Sequence, residues 1–404
     1  RGSRRSRSVT SPACMRARLR KAAAIATCGA TLGSLAYIAF ALWRVIAFGR
    51  RPIAEPNALG DGYAPSVTVL KPLRGHEPAL AANLASFCAQ DYERYDVLFG
   101  ARDADDAALA VAREVVAAFP LRARALSAQA ETPSHANPKV DTLAALLPHA
   151  HGELLLISDG DMRVERGYLR ALSAAFADPA VGAVTCLYRG APAGDDVASA
   201  LGAQANHEHF APSALVAHAL LPQRLCFGAT MAVRRSVFDA IGGLDALGPF
   251  LADDARLGTL VAERGLRVVL SRYVVENIVA ERGLAALWRH ELRWARTHRT
   301  LEPFGYAGLF LTYPIPLALL HLGCARRRGR ALALLGAALA LRFALGVSAR
   351  RVFGARSRSR PWLVPLRDLL GLAVWSASFF SREVRWRDDR FTVRRDGRLI
   401  AREP

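Results

Sequence analysis

The stretch Leu154-Leu155-Leu156-Ile157-Ser158-Asp159-Gly160-Asp161 decides the fold: four apolar residues run into two carboxylates separated by glycine. A buried parallel strand reads as a short, nearly continuous apolar run. Open α/β sheets collect ligands just outside the carboxyl ends of such strands. Asp159 and Asp161 are therefore expected where substrate sits. Two carboxylates at i and i+2 with no bulk between them suit a hard divalent cation, Mg²⁺ or Mn²⁺, which takes one or two protein oxygens together with substrate phosphates. The same triplet is also ordinary turn chemistry, so its neighbours must decide.

Working outward, residues 65–299 alternate between strand and helix patterns. Strands are expected at 66–70, 96–101, 154–158, 183–187 and 228–233, and helices at 78–90, 106–119, 139–149, 168–176, 235–241 and from Asp253 to 263. Such alternation predicts an α/β domain, a mostly parallel sheet with helices on both faces. Asp253 and Asp254 would open their helix at its positive end. The chain has neither G-x-G-x-x-G nor a Walker A sequence, which leaves phosphate to a metal and to basic side chains.

The 404 residues are 52% hydrophobic and carry a net charge of +19, enough for one sizeable domain plus membrane segments. Residues 22–43 carry no charge and are bounded by Lys21 and Arg44. That matches the roughly 20 apolar residues that span a bilayer and exceeds a signal-peptide core, so an N-terminal transmembrane helix is expected. Three further apolar runs, 303–325, 331–349 interrupted by Arg342, and 369–381, predict C-terminal membrane-associated helices. Pro314 and Pro316 are tolerable inside a membrane bundle. Arginines flank these runs: Arg4, Arg5 and Arg7, Arg326 to Arg328 with Arg330, and Arg350, Arg351, Arg356, Arg358 and Arg360. This placement suits anionic headgroups better than a nucleic-acid groove, though a coding bias towards Arg would look the same. The resulting division is a basic segment 1–21, a transmembrane helix 22–48, a catalytic domain 62–300, a membrane-associated region 301–381 and a basic tail 382–404. The six cysteines have no metal or disulfide spacing, and Cys88, Cys186 and Cys226 read as small core residues. His207 and His209 flank Glu208 without H-E-x-x-H spacing and remain candidates for an acceptor site.

Four more sites join the two carboxylates: Asp103 after the second strand, Lys139 in Asn137-Pro138-Lys139, Asp254, and His290-Glu291-Leu292-Arg293-Trp294. Each has a plainer reading. Asp103 could cap a helix, Lys139 could be a solvated first-turn residue, Asp253 and Asp254 could serve a helix dipole, and Trp294 could pack as an aromatic. Taken in order, the set resembles glycosyltransferase family 2. The texture of Val69-Leu70-Lys71-Pro72-Leu73-Arg74-Gly75, Gln90-Asp91-Tyr92, Asn137-Pro138-Lys139 and Leu292-Arg293-Trp294 is similar to its ceramide glucosyltransferase branch, with bacterial relatives in hopanoid lipid biosynthesis.

The resemblance implies a GT-A-type nucleotide-sugar-binding domain and a membrane-bound inverting hexosyltransferase. It would take a sugar, glucose or N-acetylglucosamine, from a UDP-sugar to a lipid hydroxyl such as ceramide or a hopanoid polyol. It also implies roles. Asp103 binds the nucleoside, Lys139 and Asp159 bind nucleotide or phosphate, and Asp159 with Asp161 holds the divalent metal. Asp254 is the catalytic base, and Arg293 with Trp294 completes the catalytic set. His290, also assigned to substrate or nucleotide binding, stands where the family carries Gln or Arg. The alternatives are a processive polysaccharide synthase and a non-catalytic basic membrane protein. Membrane, donor and lipid are the expected partners, without nucleic acid. Nucleotide-sugar supply predicts a bacterial inner-membrane protein whose domain faces the cytoplasm. The basic segment 1–21 pulls the other way under the positive-inside rule, less so with Met15 as the start.

Overall fold

The computed structural model describes residues 12–51, 63–75, 77–127, 135–355, 360–381, 383–386, 389–394 and 396–401. Strand β4 (Leu154–Ile157) buries all four of its side chains. Leu154 and Leu156 enter one apolar core, Leu155 and Ile157 the other. Successive side chains of a strand point to opposite faces, and here both faces are covered, so no position in the run tolerates a polar residue. β4 lies parallel to β1 (Val67–Leu73), β1 to β2 (Tyr95–Ala101), and β2 to β3 (Ala123–Ser127). On its other side β7 (Met231–Arg234) is antiparallel to both β4 and β6 (Val181–Pro192). β6 runs parallel to β8 (Arg267–Val279), and β5 (Met162–Arg163) closes the far edge antiparallel to β8. The order is β3-β2-β1-β4-β7-β6-β8-β5, a mostly parallel sheet with β7 and β5 reversed.

Helices α2 (Leu80–Cys88), α3 (Ala107–Ala118) and α5 (Tyr168–Ser173) cover one face; α4 (Pro138–Leu146), α8 (Arg235–Ala240) and α9 (Asp253–Glu263) cover the other. Cys88, Cys186 and Cys226 are buried in these cores. Strands β3, β5 and β8 were absent from the sequence reading. β3 is a half-exposed edge, β5 has only two residues, and β8 carries Arg267, Ser271, Arg272, Glu276 and Asn277 among its apolar positions.

A third apolar core joins α1 (Pro12–Gly49), α7 (Ala211–Leu220) and α13 (Arg328–Phe353) to Leu187 of β6 and Leu270 of β8. Among the described residues two helical stretches, Met15–Gly49 and Arg328–Phe353, are long and apolar enough to cross a membrane. The run from 303 is bent by 69° between Pro303–Thr312 and Pro314–Cys324, as expected where a proline removes a backbone donor. It comprises α11 (Pro303–Gly308), a 3₁₀ turn, and α12 (Pro314–Cys324). Residues 369–378 of the last apolar run lie in α14 (Val364–Ser378), whose 15 residues also include buried Arg367 and Asp368 just upstream of that run. Arg342, fully buried on α13, donates through Nε to Asp368 Oδ1 at 2.8 Å.

The described part of the tail is a three-stranded antiparallel sheet of β9 (Glu383–Trp386), β10 (Asp389–Val393) and β11 (Leu399–Ala401). Of the basic clusters, Arg4, Arg5, Arg7, Arg356 and Arg358 lie outside the described residues, and Arg350 is buried against Glu208 rather than facing headgroups.

One contact tests this packing. Gly190 of β6 lies against α6 (Val197–Ala205), where an added Cβ would stand 2.4 Å from Ala203 Cα. Because backbone cannot yield cheaply, Gly190→Ala is expected to cost about 1–3 kcal/mol or more. The readout is a lowered thermal midpoint of the detergent-solubilised protein; an unchanged midpoint contradicts the packing described.

Candidate active site

The site begins where β4 ends. Asp159 donates its backbone N–H to Gly228 O at 3.3 Å. Its own carbonyl accepts from Lys71 Nζ at 2.6 Å. Lys71 is fully buried beneath it, with its ammonium 3.7 Å from the centre of the Phe87 ring. Burial pulls that amine down to about 7, against the opposite pull of Asp161, Asp159 and Glu77.

Gly228 is the meeting point of two distant acids. A Cβ there would lie 2.7 Å from Asp159 Oδ2 and 3.6 Å from Asp254 Oδ2. The Gly228 N–H instead donates to Asp254 Oδ2 at 2.8 Å. Only a residue without a side chain lets the backbone pass between the carboxylates. Asp254 opens α9 together with Asp253, as expected, and the structure separates the pair. Asp253 is 5% exposed and its Oδ2 lies 3.0 Å from Lys139 Nζ; Asp254 keeps part of its surface open. Burial first, and then Asp253, raises the Asp254 carboxyl to about 6, with Lys139 opposing.

Lys139 also reaches Asp159 Oδ1 at 2.9 Å. Burial disfavours its charge, but Asp159, Asp253 and Asp254 outweigh that and hold it above the usual lysine range. Its place follows from local sequence. Asn137 caps α4 by accepting from Lys139 N at 3.0 Å, Pro138 occupies the first turn, and Asn137 Nδ2 donates to Phe250 O at 2.9 Å. The start of α4 is thereby tied to the loop that precedes Asp253.

Asp161 is held from β8. Asn277 Nδ2 donates to its Oδ2 at 2.7 Å, and Ile278 N donates to its backbone oxygen at 2.9 Å. The other oxygen, Oδ1, is buried without a hydrogen-bond partner among the described residues. Burial, then Glu77 and Asp159, raises this carboxyl to about 7. An unpartnered buried carboxylate oxygen beside a second acid suits a hard cation. Among the described residues no three His, Cys, Asp or Glu side chains form a metal cage. The donor set therefore fits an ion that takes two carboxylates and completes its shell from phosphate and water.

The remaining expected residues stand at different distances from this centre. Asp103 is exposed just past β2, at the same sheet edge but two strands from β4. The capping role open to it belongs to Asp106, which accepts from Ala108 N at 2.8 Å and from Gly75 N. His290, Arg293 and Trp294 lie on α10 (Leu284–Leu301). His290 Nδ1 pairs with Glu281, and its ring lies 4.8 Å from Trp294. Burial pushes the Glu281 carboxyl up, but His290 and Arg293 together hold it below its usual range. Trp294 meets Tyr188 edge-on at 6.4 Å, and Tyr188 stacks on Phe210 at 4.5 Å. Burial, then Asp254, Asp161 and Asp159, raises the Tyr188 hydroxyl. His207 and His209, kept open as acceptor-site residues, are instead enclosed with Glu208, Arg342 and Asp368. Sequence reasoning missed Lys71, Tyr188, Asn206, Asn277 and Glu281. Lys71 alone left a signal, a lysine inside an otherwise apolar strand.

The model of glycosyl transferase family 21 matches residues 26–399. The chain belongs to glycosyltransferase family 21. Ceramide glucosyltransferase 1 of Caenorhabditis elegans is 24% identical over 253 residues, covering 60% of this chain and 52% of the relative. A ceramide glucosyltransferase of Komagataella phaffii is 29% identical over 106 residues, covering 26% of this chain and 21% of that one. The family 21 chain thus spans about half the length of the first of these relatives. The fold is similar to that of a mannosyltransferase from Pyrobaculum calidifontis solved with GDP-Man and Mn²⁺. There the TM-score is 0.51 at 21% identity, covering 89% of this chain and 99% of that one. The ceramide-glucosyltransferase-like resemblance and the GT-A-type fold both hold.

The Lys139 pairing yields a test. Removing the ammonium leaves Asp253 buried beside Asp159 with no opposite charge, a loss that costs about 3–5 kcal/mol when a buried pair is broken. Lys139→Ala should therefore melt earlier, and Asp253→Asn in the same chain should recover part of the loss. A single variant that melts with the wild type refutes the pairing.

Proposed function

We propose that this chain is a membrane-bound inverting glycosyltransferase. It moves glucose or N-acetylglucosamine from a UDP-sugar to the hydroxyl of a membrane lipid, with ceramide and a hopanoid polyol as the acceptors in view. The observation that carries the reading is the meeting of Asp159 and Asp254 at Gly228, with Lys139 on Asp159 and Asp161 held two residues further on by Asn277. That cluster sits on a domain whose β6–β8 side packs against α1 and α13. Relatives named as ceramide glucosyltransferases support a lipid acceptor. A similar fold solved with a nucleotide sugar and Mn²⁺ supports donor class and metal.

In this reading the acceptor hydroxyl gives its proton to Asp254, which is partly open and raised towards the range useful to a general base. The acceptor oxygen forms a bond to the anomeric carbon from the face opposite the diphosphate. The carbon–oxygen bond to the diphosphate breaks, and UDP leaves with the electron pair. One displacement inverts the anomeric centre. Asp159 and Asp161 would hold Mg²⁺ or Mn²⁺, which when bound offsets the charge developing on the diphosphate. Lys139 adds fixed positive charge beside them, and Arg293 is assigned to the same task from α10. Asp103 is assigned to the nucleoside. His290, held by Glu281, is assigned to substrate or nucleotide binding, and Trp294 gives an aromatic wall. A processive synthase would need a channel, and two long apolar helices with one bent pair among the described residues offer little wall for one. The division into a catalytic domain 62–300 with flanking membrane segments, in a bacterial inner membrane and facing cytoplasmic UDP-sugars, completes the proposal.

Full-length protein in lipid nanodiscs, given Mn²⁺, UDP-glucose or UDP-N-acetylglucosamine and extracted bacterial lipids, should release UDP. It should also yield a lipid heavier by one sugar residue, with EDTA abolishing both. No UDP release from folded, Mn²⁺-supplied protein counts against the enzyme.

Asp254→Asn should slow transfer by about 10²–10⁴-fold. The acid limb of kcat/KM should centre near pH 6, since a protonated Asp254 accepts nothing. A profile flat from about pH 5 to 8 removes Asp254 from this role. The raised value has a stability counterpart. Asp254 favours folding most below its ordinary value of 3.8, and that contribution is lost as pH rises through about 6.

A further inference from the structure

Behind Asp161 the chain leaves regular helix. Asn206–Phe210, between α6 and α7, is a π-helical turn, a form that is rare and gathers at functional sites. Its first residue faces the acids. Asn206 Nδ2 donates to Asn277 Oδ1 at 2.8 Å, and Asn277 Nδ2 donates to Asp161 Oδ2 at 2.7 Å. Both asparagines are buried, at 4% and 6% exposure. Its last residue, Phe210, stacks on Tyr188. Between them, Glu208 and His209 face the apolar helices. Glu208 pairs with Arg350 and lies 3.6 Å from Arg342 Nη1; His209 meets Arg342 and lies 3.3 Å from Asp368 Oδ1. Next to Asp368, Arg367 forks onto Glu291 of α10.

Charges buried among apolar helices are expensive and, where found, mark function more often than stability. Here they converge on one turn, and that turn reaches the site through a two-amide chain. The chain has a fixed sense. Asn206 donates to the Asn277 oxygen, so Asn277 must present its NH₂ to Asp161; a flipped amide would set oxygen against carboxylate. With Oδ2 so held, the Asp161 rotamer is set and Oδ1 stays without a partner.

We propose that the π-turn Asn206–Phe210 is the element through which the membrane helices hold the Asp159–Asp161 site in shape, with Asn206 and Asn277 as positioning residues for Asp161. The inference rests on the reading of Asp161 as a cation ligand. Residues that orient a ligating carboxylate typically change metal affinity by about 10–100-fold when removed.

The test is a Mn²⁺ titration of the full-length protein in detergent with UDP present and no acceptor, followed by electron paramagnetic resonance. Asn206→Ala and Asn277→Ala should each weaken Mn²⁺ binding about 10–100-fold, while the melting midpoint in EDTA moves little. Because the two act in series, the double variant should bind no worse than the weaker single one. Asn206→Leu and Asn277→Leu, matched in size and uncharged, serve where alanine prevents folding. Folded variants that bind Mn²⁺ within about twofold of wild type, or single effects that multiply in the double variant, overturn the inference alone. Wild-type protein that binds no Mn²⁺ overturns the metal reading and this inference together.

Discussion

Like charges held close in a low-dielectric space must be separated, neutralised or protonated, and this constraint organises the whole site. Asp159, Asp161, Asp253 and Asp254 meet at one end of the sheet, and each is managed differently. Lys139 stands between Asp159 and Asp253, Asp161 receives an amide hydrogen from Asn277, and Asp254 takes the Gly228 N–H. Lys71 supports the backbone of Asp159 from within the core. The arrangement leaves three carboxyls, Asp161, Asp253 and Asp254, displaced upward towards neutrality. A strained cluster of this kind is poised for a cation and a proton, because either relieves the repulsion.

The long apolar helices are not a detachable appendage. α1 and α13 share an apolar core with β6 and β8, the strands that supply Tyr188 and Asn277. Arg342 and Asp368 tie α13 to α14, and Arg367 ties α14 to α10. The same side chains that would be most costly in lipid therefore connect the segment bearing Trp294 to the turn bearing Asn206. Burial and pairing occur together at each of these positions, which is how the apolar helices accommodate them.

Much of the sheet's centre was legible because burial on both faces writes itself as a continuous apolar run. Leu154 to Ile157 and the strands that became β1 and β2 follow that rule. The first turns of α4 and α9 were legible through Asn137-Pro138-Lys139 and the paired acids, since capping chemistry is local. β8 was not. Its polar residues face the candidate site and the long apolar helices, so its alternation is broken by contacts with chain up to about 220 residues away, as Arg272 to Gly49 illustrates. The run from 369 showed only part of its helix: its apolar letters continue α14, whose charged residues, Arg367 and Asp368, lie just upstream.

By itself the sequence marked which residues are candidates for the chemistry and which strand ends they follow, because side-chain type and burial period are properties of adjacent letters. Only the tertiary structure decided that Asp253 is bound to Lys139 while Asp254 stays partly open, that Gly228 is where two acids meet, and that Asn206 speaks to Asp161 through Asn277. Those outcomes depend on distances between segments far apart along the chain, and packing alone sets such distances.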